Sequence, residues 1–219
     1  MAQIPKRLTT EQKTILDFVA TSDALTSQFY FTGGTALSSF YLDHRESEDL
    51  DFFSQQPFSQ ELIDSTLAPL LQTQDIRVKT EFIDPLYRFR MLFPTKTEVK
   101  VDFSHYTYPR VSQSLTYQKI TIDGLLDIAV NKLQSITSRH AVKDYVDLYF
   151  LLKQFTFWDL REGMRIKFRN DLEPIIIASD FLAVEDFAFL PKMHKPLTLD
   201  ELKTFFRTEA VKLGRTAVE

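Results

Sequence analysis

Two short stretches carry residue types from which chemistry could be built. The first is Phe31-Thr32-Gly33-Gly34-Thr35-Ala36-Leu37, and the second is Arg45-Glu46-Ser47-Glu48-Asp49-Leu50-Asp51-Phe52-Phe53. Paired glycines lack Cβ atoms, so the backbone there can take unusual dihedrals and come close to a ligand. Thr35 then opens an apolar stretch to Leu42 suited to a helix, and amides at a helix start attract phosphate. In the second stretch, alternation along a strand puts Asp49 and Asp51 on one face and Leu50 and Phe52 on the other. Two like charges side by side between apolar residues call for a cation. Carboxylate oxygens that leave room for water and phosphate suit Mg²⁺. A phosphate-approach turn followed by a Mg²⁺ pair suggests nucleotide chemistry.

The elements that must position these residues read as follows. Gln28–Phe31 and Leu50–Phe53 are strands flanking the Gly-Gly turn. Ile76, Val78, Thr80 and Phe82 alternate, as do Tyr87, Phe89, Met91 and Phe93, giving two strands turned at Asp84-Pro85. Glu98-Val99-Lys100-Val101-Asp102-Phe103 is another strand. Lying beside the Asp49/Asp51 strand, it would bring Asp102 to the same cation as a third carboxylate, placed to activate an attacking hydroxyl; an amphipathic edge strand is the other reading. Thr9 with Gln12, and Thr198 with Glu201, form capping boxes. Ser59 caps a helix to about Leu71. From Asp123, a plausible N-cap, the pattern is helical: Leu125, Leu126, Ile128, Ala129, Leu133 and Ile136 share a spacing. Lys132 and Arg139 fall on one face of that helix. Further helices cover Lys143–Leu152 and Trp158–Phe168. Leu172–Phe189 is ambiguous because of Pro174, and the last helix ends near Gly214. Residues 1–122 then form an α/β (α+β) core with a small mixed sheet. Residues 123–219 form a helical region packed on it, with the chemistry in the groove between.

Composition narrows the function classes. The 219 residues suffice for one well-buried domain or a domain plus a helical extension. Cysteine is absent, which removes disulfides, thiol nucleophiles and Cys-ligated zinc, and four scattered His give no metal spacing. The net charge of −4 argues against a uniformly basic nucleic-acid coat. Acid is concentrated early: 12 basic and 17 acidic residues up to Asp127, then 14 and 13. No apolar run reaches membrane-spanning length and Met1–Thr10 lacks a signal-peptide core, so a soluble cytoplasmic protein with no membrane partner is expected.

The order strand, Gly-Gly, helix, Asp-x-Asp strand resembles the nucleotidyltransferase fold of the DNA polymerase β superfamily. The words Gly-Gly-Thr-Ala-Leu and Arg-x-Ser-x-Asp-Leu-Asp-Phe resemble the AbiEii/AbiGii toxin family of nucleotidyltransferases. A third block supports it: Lys132-Leu133 through Arg139, then Lys143-Asp144-Tyr145-Val146-Asp147-Leu148, with Lys143 where the family usually has Arg. The resemblance implies transfer of a nucleoside monophosphate from an NTP to an acceptor hydroxyl. Asp49 and Asp51 would hold Mg²⁺, joined by Asp102 under the first of the two strand readings. Gly33, Gly34, Thr35 and Ser47 would contact the nucleotide. Lys132 would reach the triphosphate, and Asp144 and Asp147 would orient basic groups or the acceptor. Arg45 has two options: a phosphate clamp, or a partner for a nearby carboxylate such as Glu48. The family also implies the toxin of a toxin–antitoxin or phage-defence pair, with a cognate antitoxin and a tRNA 3′ end as acceptor. Two readings stay open beside it: a small-molecule (aminoglycoside-like) or protein side-chain acceptor, and an inactive NTP-binding or interaction module. Basic residues Arg161, Arg165, Lys167 and Arg169, and Lys203, Arg207, Lys212 and Arg215, are either solvated faces or a track for an RNA backbone.

Overall fold

The computed structural model describes residues 5–216, with side chains described to residue 215. The chain separates into two units. The first comprises residues up to Asp43, Ser47–Pro109 and Gln113–Gly124; the second comprises His44–Glu46, Arg110–Ser112 and Leu125 onward.

The first unit holds a mixed sheet. Its strands are β1 (Tyr30–Thr32), β2 (Leu50–Ser54), β3 (Arg77–Ile83), β4 (Leu86–Leu92), β5 (Glu98–His105), β6 (Leu115–Tyr117) and β7 (Ile120–Ile122). They lie in the order β3-β4-β5-β2-β1-β7-β6, with β2 parallel to β5 and β1 parallel to β7. Alternation sorts the side chains. Phe31, Phe52 and Phe103 are in register across β1, β2 and β5, fully buried, with ring centroids 5.2 and 5.1 Å apart. Phe89 of β4 meets Phe103 edge-on. Each such ring contributes roughly 2–3 kcal/mol by burial. The opposite face of β2 and β5 is left with Asp51 and Asp102.

Helices of this unit are α1 (Thr10–Thr21), α2 (Asp23–Thr26), α3 (Gly33–Ala36) and α4 (Gln60–Thr73). The Thr9/Gln12 capping box is formed, and Ser59 caps α4. Three details differ from the sequence reading. Gln28 and Phe29 close the turn after α2 by bonding to Leu25, so β1 starts at Tyr30. The helix after β1 starts at Gly33 itself and widens into a π-helical turn over Leu37–Leu42. Asp123 is tied back to the sheet: its amide donates to Phe31 O and its carboxylate accepts from Thr32, extending the β1–β7 pairing.

The second unit contains α5 (Leu125–Ser138), α6 (Val142–Leu151), α7 (Phe157–Phe168), α8 (Pro174–Leu182) and α9 (Leu199–Thr216). Its core includes Tyr145, Phe181 and Phe206, whose rings meet edge-on. Pro174 starts α8 at its first turn rather than interrupting it, where a missing N–H costs nothing. Gly214 does not end α9, which continues to Thr216. Gly163 is needed where α7 meets α5: a Cβ there would lie 2.4 Å from Val130 Cγ2. Among the described residues no helix is long and apolar enough to cross a membrane.

Candidate functional site

The Gly-Gly turn and the carboxylate strand come together in the first unit. Gly33 has φ +77°, a left-handed backbone that favours glycine. A Cβ there would lie 2.0 Å from Asp51 Oδ2, so the turn packs its bare α-carbon directly on the Asp51 carboxylate. Thr32, the residue before α3, makes no capping bond, because its hydroxyl donates to Asp123. Thr35 is buried and its hydroxyl donates to Asp49 O, which ties the helix start to the entrance of β2. The expected phosphate contact from Thr35 therefore falls to its backbone. Ser47 and Glu48 are held by Gln12: its side-chain amide donates to both carbonyls at 2.8 and 3.0 Å while its oxygen closes the capping box. Sequence reading saw the cap in Gln12 but not this second duty.

Asp49, Asp51 and Asp102 lie on one face of the sheet. Asp51 and Asp102 are direct partners across the parallel β2–β5 pair, as the strand reading anticipated. Their neighbours were not anticipated. Arg88, opposite Asp102 on β4, grips that carboxylate with two bonds, Nε to Oδ1 at 2.9 Å and Nη2 to Oδ2 at 2.7 Å. Hydrogen bonding to Asp102 raises the Arg88 pKa against the opposing effect of burial. Lys100 Nζ stands 2.7 Å from Asp49 Oδ1 as an ion pair, but off the line of a hydrogen bond: that oxygen is buried and has no hydrogen-bond partner. Among the described residues no group of three or more His, Asp or Glu side chains is placed to hold a metal. Of the three carboxylates expected from sequence, Asp51 and Asp102 are adjacent across the strands, and Asp102 is held by Arg88.

The other four candidate residues, Arg45, Lys132, Asp144 and Asp147, belong to the second unit. They form one buried ionic network. Asp147 Oδ1 accepts from His44 Nε2 at 2.7 Å and Arg45 Nε at 2.6 Å; Oδ2 accepts from Arg45 Nη2 at 2.8 Å and lies 2.7 Å from Lys132 Nζ. Lys132 also donates to Asp144 Oδ1 at 2.8 Å, and Arg139 takes the other Asp144 oxygen at 2.9 Å. Lys132 and Arg139 thus do share a face, the one turned to Asp144. Arg45 pairs with a carboxylate 102 residues away, not with Glu48. It is held from behind by a bridge to Met193 and by Glu46 N donating to Lys192 O. Lys132, only 7% exposed, is neither a solvated lysine nor an unpaired cation waiting for phosphate. Three hydrogen bonds and the Lys132 ammonium thus surround the two Asp147 oxygens.

Burial alone would raise Asp147, but Lys132, Arg45 and His44 outweigh it and hold the carboxyl well below its usual range. Asp144 is lowered in the same way, mainly by Lys132. Burial would lower Lys132, but Asp147 and Asp144 hold it above its ordinary value. For His44 burial wins and its pKa is lowered, which favours the neutral ring. Asp147 can only accept, so Nε2 carries the hydrogen and Nδ1 is bare. Nδ1 indeed has no hydrogen-bond partner.

A second buried pair was not foreseen. Lys167 Nζ donates to Asp127 Oδ1 at 2.9 Å, both side chains fully buried, and Val111 and Ser112 complete the Asp127 shell. Lys167 therefore leaves the proposed basic track. Four of the other seven cations there have acidic neighbours: Arg161 with Asp171, Arg165 with Glu162, Arg207 with Glu185 and Lys212 with Glu209.

Comparison with known proteins places this geometry. Residues 17–217 match the family model of the nucleotidyl transferase AbiEii toxin, Type IV TA system. An uncharacterized Aquifex aeolicus protein, aq_aa25, is 32% identical over 188 residues, covering 80% of this chain and 82% of that protein. Among solved structures, JHP933 from Helicobacter pylori superposes with a TM-score of 0.57 at 22% identity, covering 96% of this chain and 94% of that one. MenT4, a nucleotidyltransferase toxin from Mycobacterium tuberculosis H37Rv, superposes with a TM-score of 0.58 at 16% identity, covering 92% and 82%. The two structures share the fold.

Proposed function

The chain belongs to the AbiEii nucleotidyl transferase toxin family and is a nucleotidyltransferase, and we propose that it moves a nucleoside monophosphate from an NTP to an acceptor hydroxyl with Mg²⁺ at Asp49 and Asp51. The observation that supports this most is the Gly33–Asp51 contact, in which a glycine turn opening a helix lies directly against a carboxylate. The buried Asp49 Oδ1, without a hydrogen bond, fits a hard cation. When bound, Mg²⁺ would supply charge compensation for the triphosphate and the leaving pyrophosphate. Gly33, Gly34 and Thr35 would meet phosphate oxygens with backbone amides, and Ser47 would line the nucleotide. Lys100 would release Asp49 as the nucleotide arrives. Asp102 would act while gripped by Arg88, keeping the face from gathering three unscreened charges. Lys132, Asp144 and Asp147 would position Arg45 rather than touch the acceptor.

The family match supports a toxin role within a toxin–antitoxin pair. The proposal adds a tRNA 3′ end, met in the cytoplasm, as acceptor, with a cognate antitoxin and a part in phage defence. A small-molecule or protein acceptor is the second reading, favoured by the acidic partners beside Arg161, Arg165, Arg207 and Lys212. The test is incubation with each labelled NTP, Mg²⁺ and total cellular RNA, resolved on a gel. Label should enter a tRNA-sized band with wild type and not with Asp51→Ala. Equal turnover in Asp51→Ala would reject the metal assignment, and label that bypasses RNA for protein or a small molecule would reject the tRNA acceptor.

A further inference from the structure

The two edges of the sheet are unlike. One ends in β6, three residues long; the other ends in β3, seven residues long, with no strand beyond it among the described residues. An edge strand presents a row of unpaired N–H and C=O groups, and natural proteins usually shorten, charge or cover it. Here the apolar face of the sheet runs straight off the edge. Val78 and Phe82 stand beside Met91 and Tyr87 of β4. Met91 is fully buried, but Val78 is 40% and Phe82 59% exposed. On the other face of β3 lie Arg77, Lys79, Glu81 and the exposed Ile83, with Glu81 3.1 Å from Lys79 Nζ and 3.4 Å from Arg90 Nε of β4.

We infer that β3 is a self-pairing edge: it joins antiparallel to β3 of a second copy of this chain, with Thr80 on the two-fold axis. The register follows from symmetry. A two-fold axis normal to the sheet keeps each side chain on its own face, so residues can be opposite only when both are odd or both are even. The axis must therefore pass through a residue. Through Lys79 it sets Arg77 opposite Glu81 twice but opposes lysine to lysine at the centre and leaves Phe82 and Ile83 beyond the overlap, and through Glu81 it opposes glutamate to glutamate. Through Val78 it opposes Arg77 to Lys79, again like charges, and through Phe82 it leaves much of the strand unpaired. Through Thr80 all seven residues overlap. Lys79 then faces Glu81 of the second copy twice, and Val78 faces Phe82 twice. Opposite charges and apolar pairs directly across an antiparallel ladder are favourable, whereas like charges there are not. The exposed ends of the apolar face would be covered by their own counterparts, and the sheet would continue through both copies.

Sedimentation equilibrium over a concentration series tests this. Wild type should pass from monomer to dimer. Lys79→Glu should weaken the dimer by about tenfold or more, because glutamates would face glutamates twice. Glu81→Lys should do the same with lysines. The double variant Lys79→Glu with Glu81→Lys restores opposite pairs and should regain affinity to within a few-fold of wild type. Hydrogen exchange on wild type gives a reading free of variants: the alternate amides of residues 77–83 that point away from β4 should lose protection on dilution. A wild type that stays monomeric, a dimer indifferent to Lys79→Glu, or a double variant no better than the single ones would each overturn the inference.

Discussion

The two carboxylate groups of this protein are built on opposite principles. On the sheet face of the first unit, Asp49 is about one-quarter exposed and Asp102 lies beside the partly exposed Arg88, so each pairs with a cation that solvent reaches, Lys100 or Arg88. In the second unit, Asp144 and Asp147 are fully buried and share Lys132, with Arg45, Arg139 and His44 around them. The buried network carries two carboxylates against two buried cations, so its charge balances without solvent. A buried charge that loses its partner is left in low dielectric, whereas an exposed one finds water. The first arrangement suits groups that must exchange partners during a reaction. The second suits groups that must not move.

The largest expected effect breaks this contrast if it is wrong. Asp147→Ala leaves Lys132 and Arg45 buried against each other, and should cost about 3–5 kcal/mol of stability. Asp49→Ala relieves a like charge near Asp51 and should change stability by no more than about 1 kcal/mol, while reducing transfer about a hundredfold or more. Urea melts and initial rates of the two variants measure both. If Asp147→Ala melts no earlier than Asp49→Ala, the sealed-network account fails. The pH dependence has a fixed sign. Asp147 is depressed in the fold, so its contribution is present above the ordinary value of 3.8 and is lost as pH falls below that toward the folded value.

Two glycines sharpen the comparison further. Gly33→Ala places a Cβ on the Asp51 carboxylate and holds an L residue at φ +77°. It should cost roughly 2 kcal/mol and also remove most activity per folded molecule, since Asp51 must shift. Gly163→Ala meets Val130 Cγ2 at 2.4 Å and should destabilise comparably. Its remaining folded molecules should transfer at the wild-type rate. Equal activity losses in the two variants would show that Gly33 serves packing alone.

His44 gives a smaller effect with its own pH window. Burial lowers its pKa in the fold, so the unfolded chain takes a proton near 6.5 that the folded chain refuses. Stability is therefore intact above 6.5 and falls as pH drops below it. The loss is about 1.4 kcal/mol one unit lower if the folded ring stays neutral. His44→Asn should flatten thermal melts between pH 7.5 and 5.5 relative to wild type. An unchanged slope would mean that His44 is protonated beside Asp147.

Most of the sheet is legible because alternation is a local signal: β3, β4 and β5 each show it, and of the two readings of the Asp102 strand the one beside Asp51 is the one found. The three-residue strands β6 and β7 are too short to show a period, so they were missed. Charge partners were the least legible. Arg45 could be given a neighbour only from nearby sequence, while its true partner is far along the chain. Lys167 looked like one more cation on a basic helix, and only the fold brings Asp127 to it. The alternation Lys100-Val101-Asp102 did put Lys100 on the carboxylate face, and that signal was available for the Asp49 pair.

Lys100 therefore provides the finest test of the open site. Its side chain is one-third exposed and that of Asp49 about one-quarter, so solvent screens the pair. Replacing Lys100 by Met should cost less than about 1 kcal/mol. The same change at Lys132 strands two buried carboxylates and should cost several-fold more. The two substitutions should also separate in their effect on cation binding. Removing the Lys100 charge leaves Asp49 and Asp51 more negative, and a divalent ion held there should bind a few-fold tighter. Titrating Mn²⁺ into wild type and Lys100→Met, followed by electron paramagnetic resonance, reads this without any turnover. Tighter Mn²⁺ binding in Lys100→Met with an unchanged melt would place the cation at the Asp49 carboxylate. Unchanged or weaker binding would remove Asp49 from the metal and leave its ion pair with Lys100 a structural one.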